Sequence, residues 1–373
     1  MNISVVTHGY PTKKTASAVF VANLADEMAN QGHSVTVIAP QSLTNIIGRD
    51  GALSPTKFVH KTDEGKEVIV LRPYTLSFSK GFAGKLLNGP LRRLAIKRAI
   101  KQAPEPDVYY SHFWGTAHGL YEVIKNSGKP LFVASGESEV TFRDQNDGFA
   151  EFVRGVICVS TKNKDESIFW GLTTADKCVI LPNAINESEF YHMDKKSCRE
   201  ELGIPQDAFV VGQVGTICNR KGQGRVSDAI KKLDDKGIYS FFLGRCQDNI
   251  PDCPNIIKLG FTDHKNVAKY LNAADVYVFP SLAEGCSNSI VAAMACGLPI
   301  ISSDLPFNYD ILDDTNSIML DPSSVDSIAE AIAKVKADSE YRASMSKASL
   351  HKAADLRLKV RASKIITFIK ERI

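Results

Sequence analysis

The chain alternates from end to end between short apolar runs of strand length and longer stretches of helical spacing. ISVVTH (3–8) is followed by SAVFVANLADEMANQG (17–32), in which Val21, Leu24, Ala25 and Met28 recur at helical spacing, and then by HSVTVIAP (33–40). That is a βαβ unit. VIVLRP (68–73), VYYSHF (108–113), LFVAS (131–135), VICVS (156–160) and CVILPN (178–183) continue the first series of strands. After a polar linker (186–207) the pattern restarts: FVVGQVGT (209–216), a helix GRVSDAIKKLDDKG (224–237) with Gly237 as its expected C-cap, then YSFFLGR (239–245), IIKLGF (256–261), VYVFPS (276–281), PIISSD (299–304) and SIMLD (317–321). Apolar strands joined by helices pair in parallel and must be covered on both faces. The reading is therefore α/β, with two Rossmann-like doubly wound domains facing across a cleft and a ligand at the C-terminal strand ends. The boundaries are 1–185 and 186–355. Residues 356–373 form an amphipathic terminal helix, with Leu356, Val360, Ile365, Ile366 and Ile369 on one side, packing back on the first domain.

Composition narrows the functional classes. A formal net charge of +3 gives no nucleic-acid signature. No apolar stretch approaches the roughly 18 residues of a spanning helix, and MNISVVTHGY reads as a first strand rather than a secretion signal. The eight cysteines show no CxxC and no zinc spacing, so buried reduced thiols in a cytoplasmic protein are expected. HxxxxxH at 112 and 118 is too loose for a metal pair.

The stretch EGCSNSIVAAMACGLP (284–299) carries the most chemistry. Glu284 leads a loop of small residues (Gly285, Cys286, Ser287, Asn288, Ser289) that runs into an Ala-rich helix. Small residues let backbone N–H groups approach a ligand, and the helix start favours an anion. That suits a diphosphate, with the carboxylate beside it suited to sugar hydroxyls; an acid merely complementing the helix dipole is the plainer reading. Arg220 and Lys221 follow a strand in VGTICNRKG (214–222) and could neutralise charge on a departing diphosphate, or form only a solvated basic turn.

Taken in order, GHSVTVIAP (32–40), LPNAINESEF (181–190), VGTICNRKG (214–222), LNAADVYVFPSLAEG (271–285) and AMACGLPIISSD (293–304) resemble the marked segments of GT-B retaining glycosyltransferases of family 4, also termed glycosyl transferases group 1. The resemblance covers nearly the whole chain. It implies transfer of a hexose-type sugar from a UDP-, GDP- or ADP-sugar to an acceptor hydroxyl, in glycan, glycolipid or surface polysaccharide synthesis, with no cofactor and no metal. By position it makes Arg220 and Lys221 the diphosphate grip and Glu284 the first acid of an E-x7-E motif. Thr216, where the family often carries Arg, and residues 285–289 become donor contacts, while Gly260 and Phe261 either contact the nucleobase or simply pack at a strand end.

Two departures matter. Ala292 stands where the family has the second Glu, which commonly holds the donor ribose. A natural replacement, a degenerate and weakly active relative, and a deliberate Glu→Ala variant are the three explanations, the last preferred because the rest of the motif is intact. The first loop, GYPTKKTASA (9–18), lacks the family's glycine pair, leaving Gly9, Tyr10 and Ser17 as acceptor-side candidates. Glu137 follows the LFVAS strand where the family frequently has His, and is either an acceptor-side contact or an ordinary surface loop carboxylate. His112 ends a strand and is a candidate catalytic group, and Trp114 either stacks on a sugar or fills the core. Residues 73–103 hold seven Lys or Arg and no acid, and the run 80–103 interleaves them with leucines. That suits an anionic membrane surface at the inner face, or an ordinary helix with one buried face. A GT-B sugar-nucleotide epimerase and a non-catalytic sugar-nucleotide binder are the competing functions.

Overall fold

The computed structural model describes residues 1–12, 18–44, 54–78 and 82–373. The chain forms two compact units. The first comprises 1–159, 163–181 and 362–373; the second comprises 160–162 and 182–361.

In the first unit, eight strands among the described residues form one sheet. Their order is Cys178–Ile180, Val153–Cys158, Leu131–Ser135, Val108–His112, Asn2–Val6, Ser34–Ile38, Glu67–Leu71 and Lys57–Lys61. All pairings are parallel except the last, which is antiparallel at the sheet edge. Every residue of Val108–His112 and Leu131–Ser135 is buried, which is why these segments read as continuous apolar runs. The final helix, Leu358–Lys370, packs on this sheet. Phe368 meets Phe132 edge-on at 6.1 Å, and Gly155 makes room, since a Cβ there would lie 2.7 Å from the Phe368 ring.

In the second unit, six parallel strands run in the order Ile256–Gly260, Ile238–Leu243, Phe209–Val214, Val276–Phe279, Ile300–Ser303 and Ser317–Leu320. Helices Gln223–Leu233 and Val325–Ala337 cover one face through Val226, Ile230, Ile328 and Ile332, all buried. Gly212 is required because a Cβ would fall 2.4 Å from the buried Phe241 ring. The carboxylate of Asp275 ties the start of the two central strands to the helix Lys195–Leu202. It accepts from Arg199 Nη2 and the Val210 amide at 2.7 Å each, and from Lys195 Nζ at 2.9 Å.

One helix end departs from the sequence reading. The helix beginning at Gln223 stops at Leu233, where Asp234 takes the left-handed conformation (φ 46°); Gly237 is not its cap. Asp and Asn visit that region more readily than most residues, so Asp234 competes with glycine for the role.

Candidate active site

In a doubly wound sheet, ligands bind outside the carboxyl ends of the strands at the point where strand order reverses. In the second unit that point lies between Phe209–Val214 and Val276–Phe279. The loop leaving the first strand carries Gly215, Thr216 and a short 3₁₀ turn, Asn219–Lys221; the loop leaving the second carries Ser281 and Glu284. Residues more than sixty positions apart in sequence thus meet.

Their geometry is a three-donor cradle around one carboxylate oxygen. Glu284 Oε1 accepts from Arg220 Nη1 at 2.8 Å and from Ser281 Oγ at 2.9 Å, and lies 3.1 Å from Lys221 Nζ. Arg220 also donates to the Ala283 carbonyl. Glu284 and Lys221 side chains are only 12% and 16% exposed, whereas Arg220 is 42% exposed. The Lys221 ammonium sits 5.0 Å over the Phe279 ring. Because Glu284 precedes the helix Asn288–Ala295 by four residues and is spent on two cations, it is not a first-turn acid serving the helix dipole.

The surrounding backbone is held tightly. Gln223 bridges the loop, with Nε2 donating to the Thr216 carbonyl (3.1 Å) and Oε1 accepting from the Cys218 amide (3.2 Å). Gln213 donates to the Lys221 carbonyl at 2.8 Å, and the Leu282 amide to the Arg220 carbonyl at 2.8 Å. Gly215 (φ 141°) leaves the space the lysine occupies: a Cβ there would lie 3.3 Å from Lys221 Cδ. Ser287 caps the following helix, accepting from the Ile290 amide at 3.4 Å. Cys286 is buried, burial lifts its thiol to about 12, and its carbonyl accepts from Asn183 Nδ2 at 2.9 Å. Ala292 is buried in the helix. Gly260 (φ 97°) ends its strand, and Phe261 stands 76% exposed beside it. Ser281 and Gln223 escape sequence reading, because nothing in their local context distinguishes them from ordinary loop and helix residues.

The first unit has its own reversal point, between Asn2–Val6 and Val108–His112. His112 is buried there, edge-on to Tyr110 (5.2 Å) and Phe20 (5.5 Å). Tyr10 is buried against Phe58, and burial first, then Asp26, pushes its hydroxyl up to about 12. Gly9 is buried beside it, and Ser17 lies outside the described residues. Trp114 corrects the acceptor-side reading. It is wholly buried, its Nε1 donating to Ser135 Oγ and Ser167 Oγ at 3.1 Å each, and a ring so enclosed fills the core rather than stacking on a sugar. Beyond the sequence reading, His118, Glu122 and Asp147 each place one potential ligand atom within 4.8 Å of the others.

Glu137 caps the helix Trp114–Ile124. Its Oε1 accepts from the Trp114 amide at 2.8 Å, and its Oε2 from the Gly136 amide at 2.9 Å and Ser135 Oγ at 3.2 Å. Burial raises its carboxyl above the ordinary value of 4.5, with these hydrogen bonds opposing the rise. A carboxyl raised on folding holds its proton to higher pH than in the unfolded chain. Its contribution is fully present below the unfolded value and is lost as pH rises through the folded one. Glu137→Gln is therefore expected to flatten the fall of stability with pH just above 4.5, measured by urea unfolding at stepped pH; an unchanged slope contradicts the assignment.

Comparison with known families decides what this scaffold is. The profile of the Glycosyltransferase Family 4 matches residues 17–189, and that of Glycosyl transferases group 1 matches residues 194–352. The chain belongs to glycosyltransferase family 4. The chain is 27% identical over 357 residues to TuaC of Bacillus subtilis, spanning 90% of the chain and 89% of that protein, to which a glycosyltransferase step in teichuronic acid biosynthesis is provisionally ascribed. It is 24% identical over 371 residues to an uncharacterized glycosyltransferase of Methanocaldococcus jannaschii, spanning 92% and 90%. Among solved structures, the sucrose-phosphate synthase of Thermosynechococcus elongatus superposes with TM-score 0.80 at 17% identity, over 99% and 98% of the two chains. HepE of Anabaena, solved with UDP and glucose, superposes with TM-score 0.73 at 16% identity over the full length of both. These likenesses fix the GT-B fold of two Rossmann-like domains. The protein is a glycosyltransferase acting in glycan or polysaccharide synthesis.

Proposed function

We propose that this glycosyltransferase takes its sugar from a nucleoside diphosphate sugar and transfers it with retention of anomeric configuration. The observation that carries the reading is the convergence of Arg220, Lys221 and Glu284 at the reversal point of the second unit. Two cations, Lys221 largely shielded from solvent and Arg220 more open to it, stabilise charge that develops on a departing diphosphate. The bond from the anomeric carbon to the diphosphate oxygen breaks, and the acceptor oxygen bonds that carbon on the same face. The acceptor proton passes to the leaving phosphate oxygen, so no carboxylate nucleophile is needed. Glu284 holds both cations in place until the donor arrives, and its second oxygen is available to sugar hydroxyls. The cations provide the positive charge otherwise supplied by a divalent ion, which supports metal-independent transfer. Structures of HepE with UDP-glucose support the donor class. Base and sugar identity rest on the loop contacts around Gly260, Phe261 and 285–289.

Ala292 tests the donor side directly. Restoring a carboxylate with Ala292→Glu is expected to tighten donor binding by roughly tenfold to a hundredfold, the worth of one charge-assisted pair. Titration of UDP, GDP and ADP into both chains reads the effect. No gain means that the ribose is held elsewhere and removes both the engineered and the degenerate explanations.

The first unit is assigned to the acceptor, a sugar or a lipid-linked glycan. One relative, 24% identical over 200 residues, is a galactosyltransferase of Escherichia coli whose name specifies a diphosphoundecaprenol-linked acceptor. No described helix is long and apolar enough to cross a membrane. On helix Phe82–Ile100, however, Leu86, Leu87 and Leu94 are 60%, 39% and 45% exposed beside the exposed cations Lys97 and Arg98. This arrangement supports peripheral attachment to an anionic membrane from the cytoplasmic side. Sedimentation with phosphatidylglycerol vesicles at low salt is expected to deplete the protein, and Leu86→Ser/Leu87→Ser to abolish the effect; no binding at low salt contradicts it.

A further inference from the structure

The first unit contains a cation with no carboxylate partner among the described residues. Arg92, on helix Phe82–Ile100, donates from Nη2 to the Thr7 carbonyl at 3.4 Å, while its Nε–H is buried with no hydrogen-bond partner. Neither Arg92 nor its neighbour Arg93 has a carboxylate within ion-pair distance among the described residues. Burial depresses Arg92 from its ordinary value with no acid opposing the shift, and Arg92 in turn helps lower His8. A desolvated, uncompensated charge is costly, and folds pair or neutralise such groups unless a ligand does so.

Both arginines line a cavity of about 170 Å³ with Gly115, Thr116, His118 and Gly119 of helix Trp114–Ile124. Nothing lies within 4 Å of a Cβ built on Gly115 or Gly119, so these glycines face open space. Two carboxylates stand beside the lining residue His118: Asp147, engaged by His118 Nε2 at 2.8 Å, and Glu122, whose carboxylate lies within 4.8 Å of the same ring; neither pairs with Arg92 or Arg93. The location is also informative. Thr7 follows strand Asn2–Val6 and helix Trp114–Ile124 follows strand Val108–His112, the two strands between which this sheet reverses.

We infer that this cavity is an oxyanion site built by Arg92 and Arg93, and that it takes a phosphoryl group carried by the acceptor. The assignment of that group to the acceptor rests on the transferase reading above; the anion site itself does not. Guanidinium groups match phosphate geometry with paired donors, and a phosphoryl group supplies the charge that Arg92 lacks.

The test is isothermal titration of the full chain with inorganic phosphate, in a Lys221→Met background that weakens anion binding in the second unit. Arg92→Met is expected to weaken phosphate binding by about tenfold to a hundredfold while leaving the midpoint of thermal unfolding level or higher, because the substitution relieves a buried charge. Gly119→Glu, which has room and suits a helix, is expected to abolish binding by placing a carboxylate in the cavity. Phosphate binding unchanged in a folded Arg92→Met or Gly119→Glu chain overturns the site, as does an Arg92→Met chain that loses several degrees. A parallel arm compares glycerol phosphate with vesicles of phosphatidic acid. An Arg92-dependent loss for the soluble ester points to a soluble phosphoryl acceptor, and a loss confined to vesicles to a lipid-borne one; either supports the site. Diphosphate titration of a chain carrying only Arg92→Met reads the donor site separately, so failure of one reading leaves the other standing.

Discussion

Replacing Lys221 with methionine is expected to lower kcat by about a hundredfold to a thousandfold while the protein keeps its fold, the range seen when one preorganised donor to a developing charge is removed. The stem of the side chain would still pack over Phe279, where the ammonium lies 5.0 Å from the ring centre. Glu284 would keep Arg220 at 2.8 Å and Ser281 at 2.9 Å, so no carboxylate is stranded. What disappears is a charge on a side chain only 16% exposed, where the surrounding protein strengthens its field. Arg220→Met should cost less, about tenfold, because at 42% exposure solvent screens that charge. The two effects should not add, since both cations share Glu284 Oε1. Single-turnover rates with thermal melts on the same samples check this. A Lys221→Met enzyme within a few-fold of the parent would remove lysine from the transfer step.

The second large effect concerns the loop that delivers Lys221. Gly244 follows strand Ile238–Leu243 and donates its N–H to the Gly260 carbonyl at 2.9 Å. Its φ is 152°, and a Cβ there would fall 2.0 Å from the Gly215 carbonyl oxygen. Gly244→Ala must therefore displace backbone, not a flexible side-chain tip, and must do so at the residue that opens the Lys221 loop. Strain and overpacking together are expected to destabilise by about 4 kcal/mol. The unfolding midpoint should drop by roughly 10 °C. Gly224→Ala is the control. Its Cβ meets nothing closer than 3.6 Å within a helix, and it should stabilise by about 0.5–1 kcal/mol. Equal behaviour of the two variants in differential scanning calorimetry would contradict the packing described for Gly244.

Much of this architecture was legible in the sequence because parallel strands covered on both faces leave an unmistakable apolar run, as in Val108–His112 and Leu131–Ser135. The strand Lys57–Lys61 was not. It lies at the edge, pairs antiparallel, and alternates exposed Lys57, Val59 and Lys61 with half-buried Phe58 and His60, a weak pattern between polar turns. The end of the helix at Leu233 was missed because two residues, Asp234 and Gly237, could each close it. For the site, residue types and the family likeness pointed to Arg220, Lys221 and Glu284, but their meeting on one carboxylate oxygen depends on strand order, which no local spacing encodes. Trp114 followed a strand toward the ligand-binding end of its sheet, and only burial reveals that its indole serves Ser135 and Ser167. The uncompensated Arg92 was hidden for the same reason. In sequence it is one cation among the seven between 73 and 103, and its lack of a counterion is a property of the packed unit.

The most direct measurement is calorimetric titration of UDP, GDP and ADP into the parent chain and into Lys221→Met. The account expects at least one diphosphate to bind the parent, and the variant to bind it tenfold or more weakly. Absence of binding by all three, or equal affinity in the two chains, would contradict a diphosphate cradle at Arg220, Lys221 and Glu284.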